Sequence, residues 1–266
     1  MSAVPLLELA GLAKTFRRPG APPVQAVRGV DLAVGAGETV ALVGESGSGK
    51  STLGRLALCL LRPDAGTVRL AGQTLSDLAP APLRAARVAM QPVFQDPAAS
   101  LNPRRAVLAL LGQALRQRGD ADIRGRAIRL LEDVGLAPAA DLLGRLPHQL
   151  SGGQRQRLAI ARALAMEPRL IIADEPLSGA DVSIRGQILN LLADLQAQRG
   201  VAYLMITHDI SLARAFAHRV AVMRAGEIVE TGPTATVLSR PSHAYTRALI
   251  DAVPTLDHVL AADRRP

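Results

Sequence analysis

A glycine-rich stretch, Gly44-Glu45-Ser46-Gly47-Ser48-Gly49-Lys50-Ser51, follows the apolar, β-branched segment Thr39–Val43. It fits the pattern G-x-x-x-x-G-K-[ST] in the context that this pattern requires, between a predicted strand and a predicted helix. Glycines let the backbone turn its N–H groups towards phosphate oxygens, and the start of a helix adds partial positive charge. We therefore expect this P-loop (residues 44–51) and Thr52 to bind a nucleotide, with Lys50 facing the β- and γ-phosphates and the Ser51 hydroxyl on Mg²⁺.

The basic residues support a special role for the P-loop lysine. The sequence contains 31 lysines and arginines, of which only Lys14 and Lys50 are lysines. Lysine carries a compact point charge, whereas the arginine guanidinium is a planar fork. A lysine at position 50, in a chain that otherwise uses arginine, indicates a task that guanidinium cannot perform.

A second chemical signal is an apolar segment that ends in two acids, Leu170-Ile171-Ile172-Ala173-Asp174-Glu175. A buried strand of a parallel sheet delivers the side chains at its carboxyl end to the ligand crevice. We expect Asp174 to join Ser51 in the Mg²⁺ shell and Glu175 to polarise an attacking water. Together with the P-loop upstream, this segment predicts nucleotide hydrolysis.

Strand patterns alternate with helix patterns along most of the chain, which predicts an α/β fold with a parallel sheet. The predicted strands are Thr39–Val43, Thr67–Leu70, Val88–Phe94, Leu170–Ala173, Tyr203–Thr207, Val220–Met223 and Ile228–Glu230. The predicted helices are Ser51–Leu61, Ile123–Val134, Gln154–Met166, Val182–Ala197 and Ser211–Ala217. Residues from about 96 to 155 begin as a Pro/Asn/Ser-rich loop and then show only helix patterns, so we expect a helical insert there. We assign residues 1–240 to one domain and 241–266 to a short C-terminal tail.

The composition excludes several classes of protein. Hydrophobic residues make up 48% of the chain. Its single cysteine, Cys59, cannot form an internal disulfide, and this fits a reducing compartment. No apolar run reaches the roughly 18 residues that a membrane span needs, so we expect a soluble chain that reaches a membrane only by docking. The net charge of +8 would suit nucleic acid, but aromatic residues make up only 2% of the chain. That scarcity disfavours the base stacking by which single strands are bound.

A family resemblance is carried by Leu150-Ser151-Gly152-Gly153-Gln154, which is similar to the signature motif of ABC ATPases. The resemblance implies a RecA-like P-loop ATPase core with a helical subdomain insert, and ATP and Mg²⁺ as cofactors. It also implies that Ser151, Gly152, Gly153 and Gln154 complete the ATP site of a second subunit. From the residues alone, a serine before a helix is also an ordinary N-cap.

Four further positions match the motifs of the same family. The resemblance implies that Gln95 contacts the metal ion and the transport partner, and that His208 contacts the γ-phosphate. It implies that Phe16 stacks on adenine, although a ring so near the N-terminus could equally belong to the core. Asp181 matches the D-loop aspartate, but Gly179 and Ala180 depart from the family's Ser-Ala-Leu-Asp pattern, which puts the stiffness of that loop in doubt.

The most specific resemblance is to the ATP-binding subunits of dipeptide, oligopeptide and nickel importers. It is carried by Val93-Phe94-Gln95-Asp96-Pro97, Ser100-Leu101-Asn102-Pro103-Arg104 and Pro241-Ser242-His243-Ala244-Tyr245-Thr246-Arg247-Ala248-Leu249. It implies a peripheral subunit on the cytoplasmic face of the inner membrane, paired with a paralogous or identical ATPase subunit. The loop from Gln95 to Arg104 and the helical insert would dock onto integral-membrane permease subunits, with a solute-binding protein as an indirect partner.

The solute stays open among peptides, nickel chelates and other small molecules, because the ATPase subunit does not touch it. The alternative is a soluble ABC ATPase acting on nucleic acid or ribosomes. Such proteins commonly carry coiled-coil or zinc inserts, and the sequence has neither a heptad array nor a cysteine cluster. We therefore expect no nucleic-acid partner.

Overall fold

A computed structural model describes residues 4–96, 100–177 and 182–252, without the side chains of residues 182–184. The strands are β1 (Leu7–Phe16), β2 (Val24–Val34), β3 (Thr39–Val43), β4 (Ala65–Leu70), β5 (Gln73–Thr74), β6 (Met90–Val93), β7 (Leu170–Asp174), β8 (Ala202–Thr207), β9 (Arg219–Arg224) and β10 (Glu227–Pro233). The helices are α1 (Lys50–Ala57), α2 (Pro80–Ala86), α3 (Val107–Arg118), α4 (Ile123–Asp133), α5 (Ala139–Leu142), α6 (Gly152–Leu164), α7 (Val182–Arg199), α8 (Ile210–Phe216), α9 (Thr234–Ser239) and α10 (Ala244–Asp251). No helix within these ranges has both the length and the apolar character needed to cross a membrane.

The larger sheet has six strands in the order β10-β9-β3-β8-β7-β6. Every pairing in it is parallel except the antiparallel one between β10 and β9. The carboxyl ends of β3, β6, β7 and β8 therefore meet at one edge. The P-loop, Gln95, Glu175 and His208 follow these four strands directly or within two residues, so chain segments far apart in sequence converge there. The predicted α/β class is confirmed.

The smaller sheet is antiparallel, in the order β2-β1-β4-β5, and it was not predicted. The expectation that Thr67–Leu70 joins the parallel sheet is wrong, because this segment pairs with β1 as part of β4. Strands β1 and β2 escaped prediction because glycines interrupt their alternation: Gly11 has φ +58° and Gly29 has φ +61°. The register between the strands shifts between Leu9 and Leu12. An irregularity of this kind moves the following side chains to the other face and removes the period-two signal.

Alternation along the central strands assigns each face of the larger sheet to a different layer. In β3, Val40 and Leu42 belong to the core shared with the antiparallel sheet and α1, whereas Ala41 and Val43 pack with α8 and α9. Successive side chains of a strand point to opposite faces, so these buried faces follow from the sequence of β3. Helices or the smaller sheet thus pack on both faces of the larger sheet, and this packing holds its carboxyl edge in place.

Between β6 and β7, the described residues form helices α3 to α6 and no strand. Leu111, Leu130 and Leu158 of these helices share one core with Ile171 and Tyr203 of the larger sheet. The helical region is therefore packed against the sheet. Its limits at about residues 96 and 155 stay a prediction, and α6 runs across the second limit.

The segment assigned to the C-terminal tail begins with a helix that the sequence patterns did not predict. Residues Ala244–Asp251 form α10, with Tyr245 only 7% exposed in the core beside Val43 and Val222. This helix has only eight residues, which is too short for a helical apolar period to be recognised in the sequence. Residues 253–266 lie outside the described part of the chain.

Candidate nucleotide site

A cleft of about 890 Å³ opens at the carboxyl edge of the larger sheet. The P-loop forms one side of it, and residues that follow β6, β7 and β8 form the other. Its lining includes Ser46, Gly47, Gly49, Lys50, Ser51, Thr52, Gln95, Glu175 and His208. The structure thus brings nine of the residues that the sequence assigned to nucleotide binding and hydrolysis into one cleft.

Two glycines of the P-loop are required by close contacts with neighbouring backbone. A Cβ on Gly44 would lie 2.1 Å from the Met223 carbonyl oxygen, and a Cβ on Gly49 would lie 2.1 Å from the Ala26 carbonyl oxygen. Gly49 also has φ +106°, which L side chains rarely adopt. The loop is therefore pressed between β9 and β2, and this packing fixes the direction of its N–H groups.

Lys50 lies at the start of α1 and is only 6% exposed. Its ammonium donates to the carbonyl oxygens of Gly44 and Glu45, each at 2.7 Å. Burial lowers the pKa of Lys50, while the negative charges of Glu175, Asp174 and Glu45 oppose this shift. The P-loop therefore holds its own cation beside the first helical turn, whose N–H groups have no intrahelical acceptors.

The Ser51 hydroxyl donates to Asp174 Oδ1 at 3.1 Å. Burial raises the pKa of Asp174, and the hydrogen bond from Ser51 opposes this shift. A hydroxyl and a carboxylate in contact are the hard oxygen ligands that Mg²⁺ uses in phosphate sites, where phosphates and waters fill the other positions. Ser51 and Asp174 therefore fit a Mg²⁺ ion, and Gln95 lines the other side of the same cleft.

Glu175 and His208 form a pair on the lining of the cleft. His208 Nδ1 lies 3.0 Å from Glu175 Oε1, and the Glu175 N–H donates to the Ile206 carbonyl oxygen at 2.8 Å. Glu175 has φ +47°, a left-handed conformation that is costly for a residue other than glycine. Its side chain is 19% exposed and that of His208 is 61% exposed. The strained backbone and the imidazole together hold the carboxylate at the cleft, where it can accept a proton.

The signature segment occupies a helix start away from this cleft. Ser151 is the N-cap of α6: its hydroxyl oxygen accepts from the Gln154 N–H at 3.2 Å, and the Gln154 side chain accepts from the Ser151 N–H at 2.9 Å. The N-cap reading of Ser151 is thus confirmed. Among the described residues that line the cleft, none belongs to Ser151–Gln154. Their role in a second subunit's site stays a prediction.

Of two other predicted site residues, the structure describes Phe16 but not Asp181. Phe16 ends β1, is 39% exposed and pairs with Val24, which lines the cleft. Phe16 itself lies beside the cleft rather than among its lining residues, so adenine stacking stays a prediction. Asp181 and the preceding Ser178-Gly179-Ala180 lie outside the described residues.

Two parts of the site were not predicted from the sequence. Gln25, Ala26 and Arg28 of β2 line the cleft together with Gly226. They were missed because β2 itself was not predicted. Tyr245 contacts the P-loop through its hydroxyl. It lies in the Pro-x-His-x-Tyr-Thr stretch, which the sequence analysis used as a mark of resemblance and not as part of the site.

The sequence profile described as "ABC transporter" matches residues 27–178, which is more than half of the chain. The chain belongs to the ABC transporter family. A second profile, "Oligopeptide/dipeptide transporter, C-terminal region", matches residues 229–265 of this ABC transporter chain. The resemblance inferred from the motifs is confirmed.

Relatives and solved structures agree with this assignment. The chain is 50% identical over 237 residues to the glutathione import ATP-binding protein GsiA of Escherichia coli (strain K12), a match covering 88% of this chain and 38% of GsiA. The same values hold for GsiA of Shigella sonnei, so the chain spans well under half the length of these curated relatives.

One similar solved structure is that of the ATP-binding cassette MJ0796, a dimer in a post-hydrolysis state bound to ADP and Pi. Its sequence is 32% identical to this chain, and the two structures superpose with a TM-score of 0.77 over 86% of this chain and 98% of that one. The structure of cbiO1 from Clostridium perfringens, part of the ABC transporter complex cbiONQ, is 27% identical with a TM-score of 0.78, covering 97% and 99%. The predicted P-loop ABC ATPase fold is confirmed.

Proposed function

We propose that this chain binds ATP with Mg²⁺, hydrolyses it, and thereby powers an importer for peptides or a related small solute. It acts as a peripheral subunit on the cytoplasmic face of the inner membrane. One observation carries the proposal: a single cleft is lined by the P-loop and by the Glu175–His208 pair, and its Ser51 contacts Asp174. Those three parts supply phosphate binding, a metal site and a base.

The P-loop binds the phosphates. The Lys50 ammonium exchanges a carbonyl partner at 2.7 Å for phosphate oxygens, while N–H groups at the start of α1 face the same oxygens. A charge-assisted hydrogen bond is worth about 1.5–3 kcal/mol, which corresponds to roughly 10- to 150-fold in affinity. Loss of the Lys50 charge should therefore dominate over the loss of any neutral P-loop side chain.

Ser51 and Asp174 would hold the metal ion, with Gln95, two residues beyond β6, as a further ligand on the lining of the same cleft. When bound, Mg²⁺ neutralises the charge of the transferring phosphoryl group. Asp174 serves as a ligand in its ionised form. The Ser51 hydroxyl donates to Asp174, and its oxygen would serve as the second protein ligand.

Glu175 orients the attacking water and accepts its proton. His208 keeps the carboxylate in place through the 3.0 Å contact and lies on the same cleft wall, where it is available to the γ-phosphate. A positioned base of this kind contributes about 10²–10⁴-fold to a rate. Replacing the Glu175 carboxylate by an amide should thus stop turnover without removing the phosphate or metal ligands.

A second subunit completes the site. The observation in support is that Ser151–Gln154 do not reach this chain's own cleft, although a helix start there offers N–H donors to an anion. The MJ0796 cassette with ADP and Pi is itself a dimer. We infer that the α6 start of one subunit, with Asp181 of its D-loop, faces the nucleotide held by a paralogous or identical partner.

The proposal that the chain powers import is supported by the profile match at its C-terminal region and by its similarity to GsiA. The oligopeptide/dipeptide region at residues 229–265 and the 50% identity to a glutathione import protein favour a peptide-like solute over nucleic acid or ribosomes. Integral-membrane permease subunits and, indirectly, a solute-binding protein are the partners that such an importer requires.

The surface for the permease is a second cavity, of about 460 Å³, beside α2, α3 and α6. Arginines and amides dominate its polar lining: Arg84, Arg87, Asn102, Arg105, Gln113 and Arg162. This positive lining suits a permease loop that carries acidic groups. The expectation that Leu101 contributes to the docking surface is wrong, because Leu101 is 2% exposed and packs in the core.

The test measures Mg-ATP affinity by calorimetry and phosphate release for the full chain and for Lys50→Ala. Lys50→Ala should raise the Kd by roughly 10- to 150-fold. Glu132→Gln is the matched control, since Glu132 is an exposed carboxylate on α4, remote from the cleft lining. Unchanged ATP affinity in Lys50→Ala would refute the proposed function.

A further inference from the structure

The tail helix α10 contacts the P-loop through one hydrogen bond. The N–H of Glu45 donates to the Tyr245 hydroxyl oxygen at 3.1 Å, across 200 residues of sequence. The chain has two tyrosines, and neither phosphate binding nor water activation as described above uses Tyr245. The contact nevertheless joins the C-terminal segment to the centre of the nucleotide site.

The ring of Tyr245 is held from several sides. It is 7% exposed and packs in a core with Val43 and Val222, residues at or near the carboxyl ends of β3 and β9. The Arg224 guanidinium carbon lies 4.9 Å from the ring centroid, within the range of a cation–π contact. The phenol oxygen is therefore fixed in position by the packing of the ring.

The start of α10 is also fastened to β10. The Glu230 carboxylate accepts from the Ser242 N–H and hydroxyl, each at 2.8 Å, and from the His243 N–H at 3.1 Å. His243 Nδ1 then accepts from the Tyr245 N–H at 3.1 Å and caps the helix. The segment that carries Tyr245 is thus tied down by polar contacts in addition to the buried ring.

The hydrogen bond from Glu45 involves the same peptide unit that holds the P-loop cation. The carbonyl of the Gly44–Glu45 peptide accepts from Lys50 Nζ at 2.7 Å, and the N–H of that peptide donates to Tyr245. A peptide unit is planar, so fixing the direction of its N–H fixes the direction of its carbonyl. The Tyr245 hydroxyl therefore sets the orientation of an oxygen that positions the Lys50 ammonium.

We propose that Tyr245 is a positioning residue for Lys50, and that it makes the C-terminal segment a structural part of the nucleotide site. The inference rests on the proposed function, because it concerns the residue that would bind the phosphates. A hydroxyl that orients Lys50 raises ATP affinity. A hydroxyl that only satisfies one backbone N–H affects the stability of the fold and leaves ATP affinity unchanged.

The test compares Tyr245→Phe with a matched variant of the other tyrosine. The Tyr203 hydroxyl donates to the Leu192 carbonyl oxygen, also at 3.1 Å, and Tyr203 is fully buried and absent from the cleft lining. Both variants lose one hydrogen bond of equal length and should lower the melting temperature of the full chain. Only Tyr245→Phe should also raise the Kd for Mg-ATP, by about 3- to 10-fold, the scale of one hydrogen bond.

A double-mutant cycle with Lys50→Ala then tests the route of the effect. If Tyr245 acts through Lys50, Tyr245→Phe should change the Kd by less than about 2-fold in the Lys50→Ala background. Equal Kd values for Tyr245→Phe and Tyr203→Phe would overturn the inference, as would additive effects of Tyr245→Phe and Lys50→Ala. Normal ATP affinity in Lys50→Ala alone would instead refute the proposed function, so the two failures are distinguishable.

Discussion

Gly49→Ala should destabilise the chain far more than an ordinary Gly→Ala change. Gly49 has φ +106°, and an alanine held there carries backbone strain of about 1–3 kcal/mol. The new Cβ would also lie 2.1 Å from the Ala26 carbonyl oxygen and 2.9 Å from Met223 Cε. Relieving such overlap costs about 1–3 kcal/mol more. The free energy of unfolding should therefore fall by about 2–6 kcal/mol.

Gly119→Ala provides the control for this prediction. Gly119 also has positive φ, +85°, but an added Cβ would meet nothing within 4 Å. Its cost should be only the conformational part, about 1–2 kcal/mol. Urea unfolding, followed by circular dichroism on both variants and the unchanged chain, measures the difference. Equal destabilisation by the two substitutions would refute the packing of the P-loop between β2 and β9.

Three further predictions concern the tail, the docking surface and the adenine end of the cleft. Burial acts to raise the pKa of Glu230, but hydrogen bonds from the tail lower this pKa from 4.5 to about 2. The ionised Glu230 therefore stabilises the fold fully above pH 4.5, and this stabilisation is lost as the pH falls towards 2. The melting temperature of Glu230→Gln should thus fall less on acidification than that of the unchanged chain. Leu101→Asp should lower the free energy of unfolding by more than about 3 kcal/mol, because it buries a charge. Arg105→Glu, by contrast, should fold normally and lose only the solute uptake that is coupled to ATP hydrolysis, measured in reconstituted vesicles. Phe16→Ala should raise the Kd for ATP by the equivalent of about 1–3 kcal/mol if the ring stacks on adenine, and an unchanged Kd in calorimetry would assign Phe16 to packing.

The sequence predicts best those parts of the fold whose patterns are uninterrupted. Strand β3 is a run of buried residues with a P-loop after it, and strand β7 is an apolar run that ends in Asp174 and is followed by Glu175, so both were located within one residue. Strands β1 and β2 were missed, because Gly11 and Gly29 break their alternation at irregular points. A local pattern cannot reveal an antiparallel sheet whose strands change face midway.

The same limit applies to the site. The P-loop, Glu175 and His208 follow strands directly, so their convergence follows from the topology of a parallel sheet. Tyr245 could not be placed in this way, because its contact with Glu45 spans 200 residues and depends on how α10 packs against β9 and β10. The buried position of Leu101 was missed for a similar reason: a Pro- and Asn-rich loop indicates exposure, but the helical region folds over that leucine.

ATP turnover and ATP-dependent association of Glu175→Gln, compared with those of Glu132→Gln, test whether Glu175 is the base of an ATPase that works as a dimer. Substitution of the base should lower phosphate release by roughly 100-fold or more while ATP affinity stays within a few-fold of normal. Because Ser51, Asp174 and Lys50 are intact, the variant should accumulate with ATP and Mg²⁺ as a stable dimer in size-exclusion chromatography with light scattering. Glu132→Gln should turn over normally. A Glu175→Gln chain that releases phosphate at the full rate, or that is fully active as a strict monomer, would contradict the account.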